Sequence, residues 1–149
     1  MVLGVGIDLT PIDRIARMLE RYATRFEEKV FTDGERAYCH ARAHAADHFA
    51  ARFAAKEAVL KALGVPAGLR WHELEVVSGA GGAPSLSLSG EAARAAARLG
   101  VRRIHLSLTH AGGQAAAVVI AEGEPPEDGP PEPSQDRPGD RREDREDRT

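Results

Sequence analysis

Two carboxylates and a lysine carry the chemistry that this sequence offers. Asp8 lies near the end of the apolar run Met1-Val2-Leu3-Gly4-Val5-Gly6-Ile7-Asp8-Leu9. Glu57 and Lys61 stand four residues apart in Arg52-Phe53-Ala54-Ala55-Lys56-Glu57-Ala58-Val59-Leu60-Lys61-Ala62-Leu63-Gly64. A carboxylate in an apolar strand costs free energy unless something binds it. The four-residue spacing puts Glu57 and Lys61 on one face of a helix, where they either pair with each other or serve a ligand. Asp8 adds weight to the second reading. Two carboxylates in apolar settings suit a hard divalent ion such as Mg²⁺, which takes one or two carboxylates together with waters and substrate phosphates. The lysine would then hold a phosphate as a point charge.

The element carrying Glu57 reads as a buried helix. Phe53, Val59, Leu60 and Leu63 cover one side and Ala54, Ala58 and Ala62 the other, so no broad polar face remains. Gly64 followed by Val65-Pro66 stops it. Upstream, Thr10 as N-cap, Pro11 at the first helical position and Asp13 in the first turn predict a helix start. Ile12, Ile15, Ala16 and Leu19 form its apolar stripe. Arg14, Arg17 and Arg21 share another face, with Met18 and Arg25 near it; this is either a solvated face or a dock for an acidic protein. Thr32 and Glu35 form a capping box that opens a helix to about Ala43. His40, His44 and His48 recur every four residues, as a metal stripe or as ordinary polar positions. Asp47 is placed to cap the long helix or to pair with Arg52.

Further on, Trp71 to Ser78 alternates as a half-buried strand, Gly79 to Pro84 turns, and Ser85 to Ser89 alternates again, predicting a hairpin. Glu91 to Leu99 is alanine-rich helix ended by Gly100. Ile104 to His110 reads as a strand with Ile104, Leu106 and Leu108 inward. After the Gly112-Gly113 turn, Ala115 to Ala121 reads as a strand buried on both faces. Ser107, Thr109 and His110 fall at the polar end of this second hairpin. The fold class is α+β, a small antiparallel sheet with helices packed against it.

At 149 residues the chain predicts one domain. The single Cys39 allows no internal disulfide and points to a reducing compartment. No apolar run has the length of a membrane span, and the N-terminus lacks signal-peptide features, so a cytoplasmic protein is expected. Charge is unevenly spread. Residues 122–149 hold 11 acidic and 5 basic residues, net −6, while residues 1–121 hold 12 acidic and 15 basic, net +3. The segment 122–149 has no aliphatic or aromatic residue and predicts a disordered tail behind a folded domain of residues 1–121. Mild basicity and scarce aromatic residues argue against a nucleic-acid partner.

Gly6-Ile7-Asp8, with Arg52-Phe53-Ala54-Ala55-Lys56-Glu57-Ala58 and Lys61-Ala62, resembles the 4′-phosphopantetheinyl transferases. The chain length and the motif's place at its start resemble the short class, the holo-acyl-carrier-protein synthases. The resemblance covers roughly residues 1–121. It implies transfer of the 4′-phosphopantetheine arm of coenzyme A to a serine of apo acyl carrier protein, with adenosine 3′,5′-bisphosphate as the other product. It implies that Asp8 and Glu57 bind Mg²⁺ and that Lys61 neutralises the departing phosphate. The base for the serine is Glu57 or a metal-bound water. His110 in Ser107-Leu108-Thr109-His110 matches the family's S-x-[ST]-H stretch. Coenzyme A contacts are thereby implied for Lys61, Arg52, His110, Thr109 and Lys56, and carrier contacts for Arg14, Met18 and Arg21. A homotrimer with sites at subunit boundaries is also implied. Two departures stand out. Only Arg42 and His44 supply charge before the long helix, where relatives carry several Lys or Arg, and Val65-Pro66-Ala67-Gly68 replaces a T-G-[IL] run. A non-catalytic binder of an acidic partner would use the arginine face and leave Asp8 and Glu57 unexplained.

Overall fold

The near-continuous apolar run at the start of the chain forms strand β1 (Val2–Pro11), and the alanine-rich segment forms helix α3 (Ala45–Ala62), which lies against it. The computed structural model describes residues 1–127. Between these elements come α1 (Ile12–Val30) and α2 (Asp33–His40). After α3 follow β2 (Leu74–Ser78), β3 (Pro84–Leu88), α4 (Gly90–Arg98), β4 (Val101–Ala111) and β5 (Gln114–Gly123). One antiparallel sheet has the order β1-β5-β4, and β2 and β3 pair separately as a hairpin. The class is α+β, as the alternating patterns predict.

Small residues let α3 sit close on the sheet. Ala54, Ala55, Ala58, Val59 and Ala62 of α3 are buried with Ala117 and Val119 of β5 and Leu74 and Val76 of β2. On β1 the inner face at this contact is glycine. A Cβ at Gly6 would overlap the Ala58 carbonyl, and one at Gly4 the Ala62 carbonyl. The glycines before Asp8 therefore set the distance from β1 to α3.

The other face of the sheet is uncovered. Val5, Ile7 and Leu9 of β1 are 60%, 63% and 64% exposed, and Val118 of β5 is 37% exposed. The second face of β5 is thus not buried within one chain, because the helices pack on one side only.

Several local expectations shift. Thr10 is not an N-cap: β1 continues through Pro11, and the Thr10 hydroxyl donates to Asp8 instead. Helix α1 is broken at Ala23, whose φ is 41°. The Thr32–Glu35 capping box forms as predicted, but α2 ends at His40 rather than near Ala43. His44, with φ 57°, holds the N-cap position of α3, and Asp47 falls in its first turn. Trp71–Glu73 is a 3-10 turn, after which β2 begins. There Glu73 accepts backbone N–H bonds from Glu91 and Ala92, serving the start of α4. The last strand runs to Gly123, two residues past its expected end. The rest of the expected tail, 128–149, lies outside the described residues. The histidine spacing makes no metal stripe: His40 contacts Glu27 at 2.7 Å, and the His48 ring meets Tyr38 edge-on. Among the described residues, no three His, Cys, Asp or Glu cluster as metal ligands.

Candidate active site

Alternation along β1 turns Asp8 to the same face as Gly6 and Thr10, toward α3. Its carboxylate is held at both oxygens. The Thr10 hydroxyl donates to Oδ2 at 2.7 Å, and the Lys61 ammonium donates to Oδ1 at 3.0 Å and to the Ile7 carbonyl at 2.8 Å. Lys61 thus pairs with Asp8 across two elements rather than with Glu57 on its own helix. Glu57 lies one turn earlier on α3. Its carboxyl is pushed above the usual range, first by burial and then by the charge of Asp8, with Lys61 and Arg14 acting the other way. Two carboxylates that repel each other, with an ammonium on one of them, form a site short of positive charge. They fit Mg²⁺, which needs few protein oxygens and completes its shell with water and phosphate.

A second cluster lies toward β4. A cavity of about 210 Å³ is lined by Tyr38, His48, Arg52, Ser78, Thr109 and His110, among others. Arg52 is 3% exposed, with its guanidinium 3.8 Å from the Tyr38 ring centre and Nη2 3.5 Å from Ser78 Oγ. Its Nε is buried without a partner among the described residues. Arg42 lies over the same tyrosine at 3.3 Å. The Tyr38 hydroxyl is pulled down chiefly by its hydrogen bond with Ser78, against burial. Burial, then the Arg52 and Arg42 charges, hold His48 below the usual imidazole range. His110 is half exposed, 4.0 Å from Asp47. This concentration of cationic and hydroxyl groups suits phosphate.

Residues 4–119 match the 4′-phosphopantetheinyl transferase superfamily. The holo-[acyl-carrier-protein] synthase of Anaeromyxobacter dehalogenans (strain 2CP-1 / ATCC BAA-258) is 57% identical over 129 residues, spanning 85% of this chain and all of the relative. The chain belongs to the 4′-phosphopantetheinyl transferase superfamily. Its fold is that of the solved family structures. The holo-[acyl-carrier-protein] synthase of Neisseria meningitidis superposes with a TM-score of 0.73 at 27% identity, over 82% of this chain and 99% of that one. A structure described as the Chronobacterium ammoniagenes ACPS-CoA complex superposes at 0.71 with 32% identity, over 81% of this chain and 97% of that one.

The residues that the phosphopantetheinyl transferase motifs single out divide into three groups. Asp8, Glu57 and Lys61 come together where β1 meets α3. Arg52, Thr109 and His110 come together at the cavity beside β4. Arg14, Met18 and Arg21 line an open groove of about 500 Å³ on α1, with Arg17, Glu20 and Tyr22. Lys56 joins none of them, which corrects its assignment to coenzyme A. It is fully buried, and its ammonium is taken by Glu35 at 2.8 Å and by the carbonyls of Leu74 and Trp71 at 2.6 and 3.0 Å. Sequence reasoning missed Tyr38, His48 and Ser78 in the cavity, and Thr10 beside Asp8. The i, i+2 spacing of Asp8 and Thr10 in a strand was the available signal, and the i, i+4 spacing of Tyr38 and Arg42 in a helix another.

Proposed function

We propose that this chain is a holo-acyl-carrier-protein synthase, a Mg²⁺-dependent enzyme that moves 4′-phosphopantetheine from coenzyme A to a serine of apo acyl carrier protein. The observation that carries this reading is the convergence of residues from the two family motifs, Asp8 of Gly6-Ile7-Asp8 and Glu57 and Lys61 of the long helix, on one cluster. Asp8 and Glu57 would hold the metal, which when bound supplies charge neutralisation at the pyrophosphate. The serine oxygen forms a bond to the β-phosphorus while the bond to the adenosine bisphosphate oxygen breaks. Glu57 receives the serine proton, and Lys61 meets the charge left on the departing phosphate. Arg52, Thr109 and His110, with Arg42 and Tyr38 beside them, receive the nucleotide end of coenzyme A.

The carrier docks on Arg14, Met18 and Arg21, because an acidic partner complements that face. The working assembly is a homotrimer. Its support is the exposed apolar strip Val5, Ile7, Leu9 and Val118, together with the placement of Asp8 and His110 on strands flanking β5. The cytoplasm, where coenzyme A and carrier proteins meet, is its compartment. The strand reaching Gly123 argues for a transferase domain ending there, with an acidic segment appended.

The test is a transfer assay with coenzyme A, apo acyl carrier protein and Mg²⁺, read as a mass gain on the carrier. The gain is expected in wild type, absent with EDTA, restored by added Mg²⁺, and absent in a folded Asp8→Ala variant. Full transfer in EDTA overturns the metal assignment, and no transfer to any acyl carrier protein overturns the function.

A further inference from the structure

Asp8 has two unlike partners. The Thr10 hydroxyl on Oδ2 comes from a residue 2% exposed, two positions along the same strand face. Its branched Cβ restricts χ1, and the strand restricts its backbone. The Lys61 ammonium on Oδ1 sits at the end of a four-carbon stem whose side chain is 47% exposed. One partner is neutral and fixed, while the other is charged and able to swing away. A neutral donor leaves the full carboxylate charge in place but fixes the plane in which its oxygens lie. Metal-ligating carboxylates depend on such partners for orientation.

We propose that Thr10 is the positioning residue of the metal site. Its hydroxyl occupies Oδ2 and holds the carboxylate so that Oδ1, the oxygen now met by Lys61, is the one presented to a divalent cation. The inference rests on the reading of Asp8 as a metal ligand. It assigns the buried hydroxyl to metal binding rather than to strand stability, for which valine would serve as well.

Mn²⁺ titration of the full chain, followed by the loss of the free-ion electron paramagnetic resonance signal, separates these roles. The proteins compared are wild type, Asp8→Asn, Thr10→Val and Thr10→Ser, each with its melting temperature. Thr10→Val keeps shape and burial, and Thr10→Ser keeps the hydroxyl. The expected result is Mn²⁺ binding lost in Asp8→Asn, weakened about tenfold in Thr10→Val, the low end for loss of an outer-shell partner, and near wild type in Thr10→Ser. Melting temperatures of the two Thr10 variants should match wild type. Binding that Asp8→Asn abolishes but Thr10→Val leaves unchanged overturns this proposal alone. Equal weakening in Thr10→Val and Thr10→Ser also overturns it. Wild type that binds no Mn²⁺, or Asp8→Asn that binds it fully, overturns the metal reading and the proposal with it. If Thr10→Val does not fold, Thr10→Ala is read in its place by the same criteria.

Discussion

Neighbouring residues on α3 meet opposite fates. Lys56 and Glu57 are adjacent, so their side chains leave the helix about 100° apart. Lys56 points into the core and Glu57 toward β1. The Lys56–Glu35 pair is fully buried, and Glu35 also accepts from the backbone N–H groups of Thr32 and Val76. The pair therefore ties α2, α3 and β2 together behind the site. Burial pulls the Lys56 ammonium below its ordinary range, and the Glu35 charge pulls it back. Removing Lys56 leaves the buried Glu35 without its counterion. Lys56→Met should cost roughly 3–5 kcal/mol in a denaturant titration. Coenzyme A affinity of the folded variant should stay at the wild-type value. A stable Lys56→Met protein with weakened coenzyme A binding would restore this lysine to the ligand set.

At the scale of elements, the site depends on how closely a helix can approach a strand. Gly6 is inward-facing directly before the motif residues Ile7 and Asp8, and any Cβ there meets the Ala58 carbonyl. Gly6→Ala should push α3 from β1, separating Asp8 from Glu57 and Lys61. A loss of about 3 kcal/mol is expected, the upper end for overpacking a core, along with transfer activity falling further than stability alone explains. Thermal melts and single-turnover assays at a temperature where the variant is folded check this. The first half of α1 carries the arginine face. Arg14 also acts on Glu57, so Arg21 is the cleaner probe of docking. Arg21→Glu should weaken carrier binding in calorimetry and leave coenzyme A binding intact. Salt should weaken the wild-type carrier complex too, since exposed charges are screened beyond about 10 Å at 0.1 M. Carrier affinity unchanged by both treatments would remove the carrier from this helix.

For the whole molecule, the open face of the sheet is the governing feature. Asp8 pairs in register with Ala117 on one side of β5, and Leu108, next to Thr109, pairs with the same residue on the other. The backbones of Asp8 and Leu108 therefore lie about two strand spacings, or about 10 Å, apart across the sheet. A neighbour covering the apolar strip could bring its cavity to this chain's carboxylates. Asp8→Ala and His110→Ala variants, each inactive alone, would be unfolded, mixed and refolded together. Partial return of transfer is expected if the chain works as the proposed trimer, in which some boundaries of a mixed assembly would regain an intact site. A dead mixture, or a light-scattering mass of one chain, argues for a site complete within a single subunit.

Most of the helices and strands, and the carboxylates and lysine proposed to react, were legible in the sequence, because both rest on local chemistry. A capping box such as Thr32–Glu35, the alternation of Leu74 and Val76, and a carboxylate in an apolar strand each carry their signal within a few residues. What the tertiary structure decided is which partners those residues meet. No spacing says that Lys61 pairs with Asp8 rather than Glu57, since that pair joins positions 53 residues apart. Likewise, the family motif names Lys56 and Glu57 side by side, and only the packing of α3 between β1 and β2 sends one to the core and the other to the site. Thr10 changed role for the same reason: β1 kept extended geometry through Pro11 by pairing with β5, so a residue suited to cap a helix became a partner of Asp8.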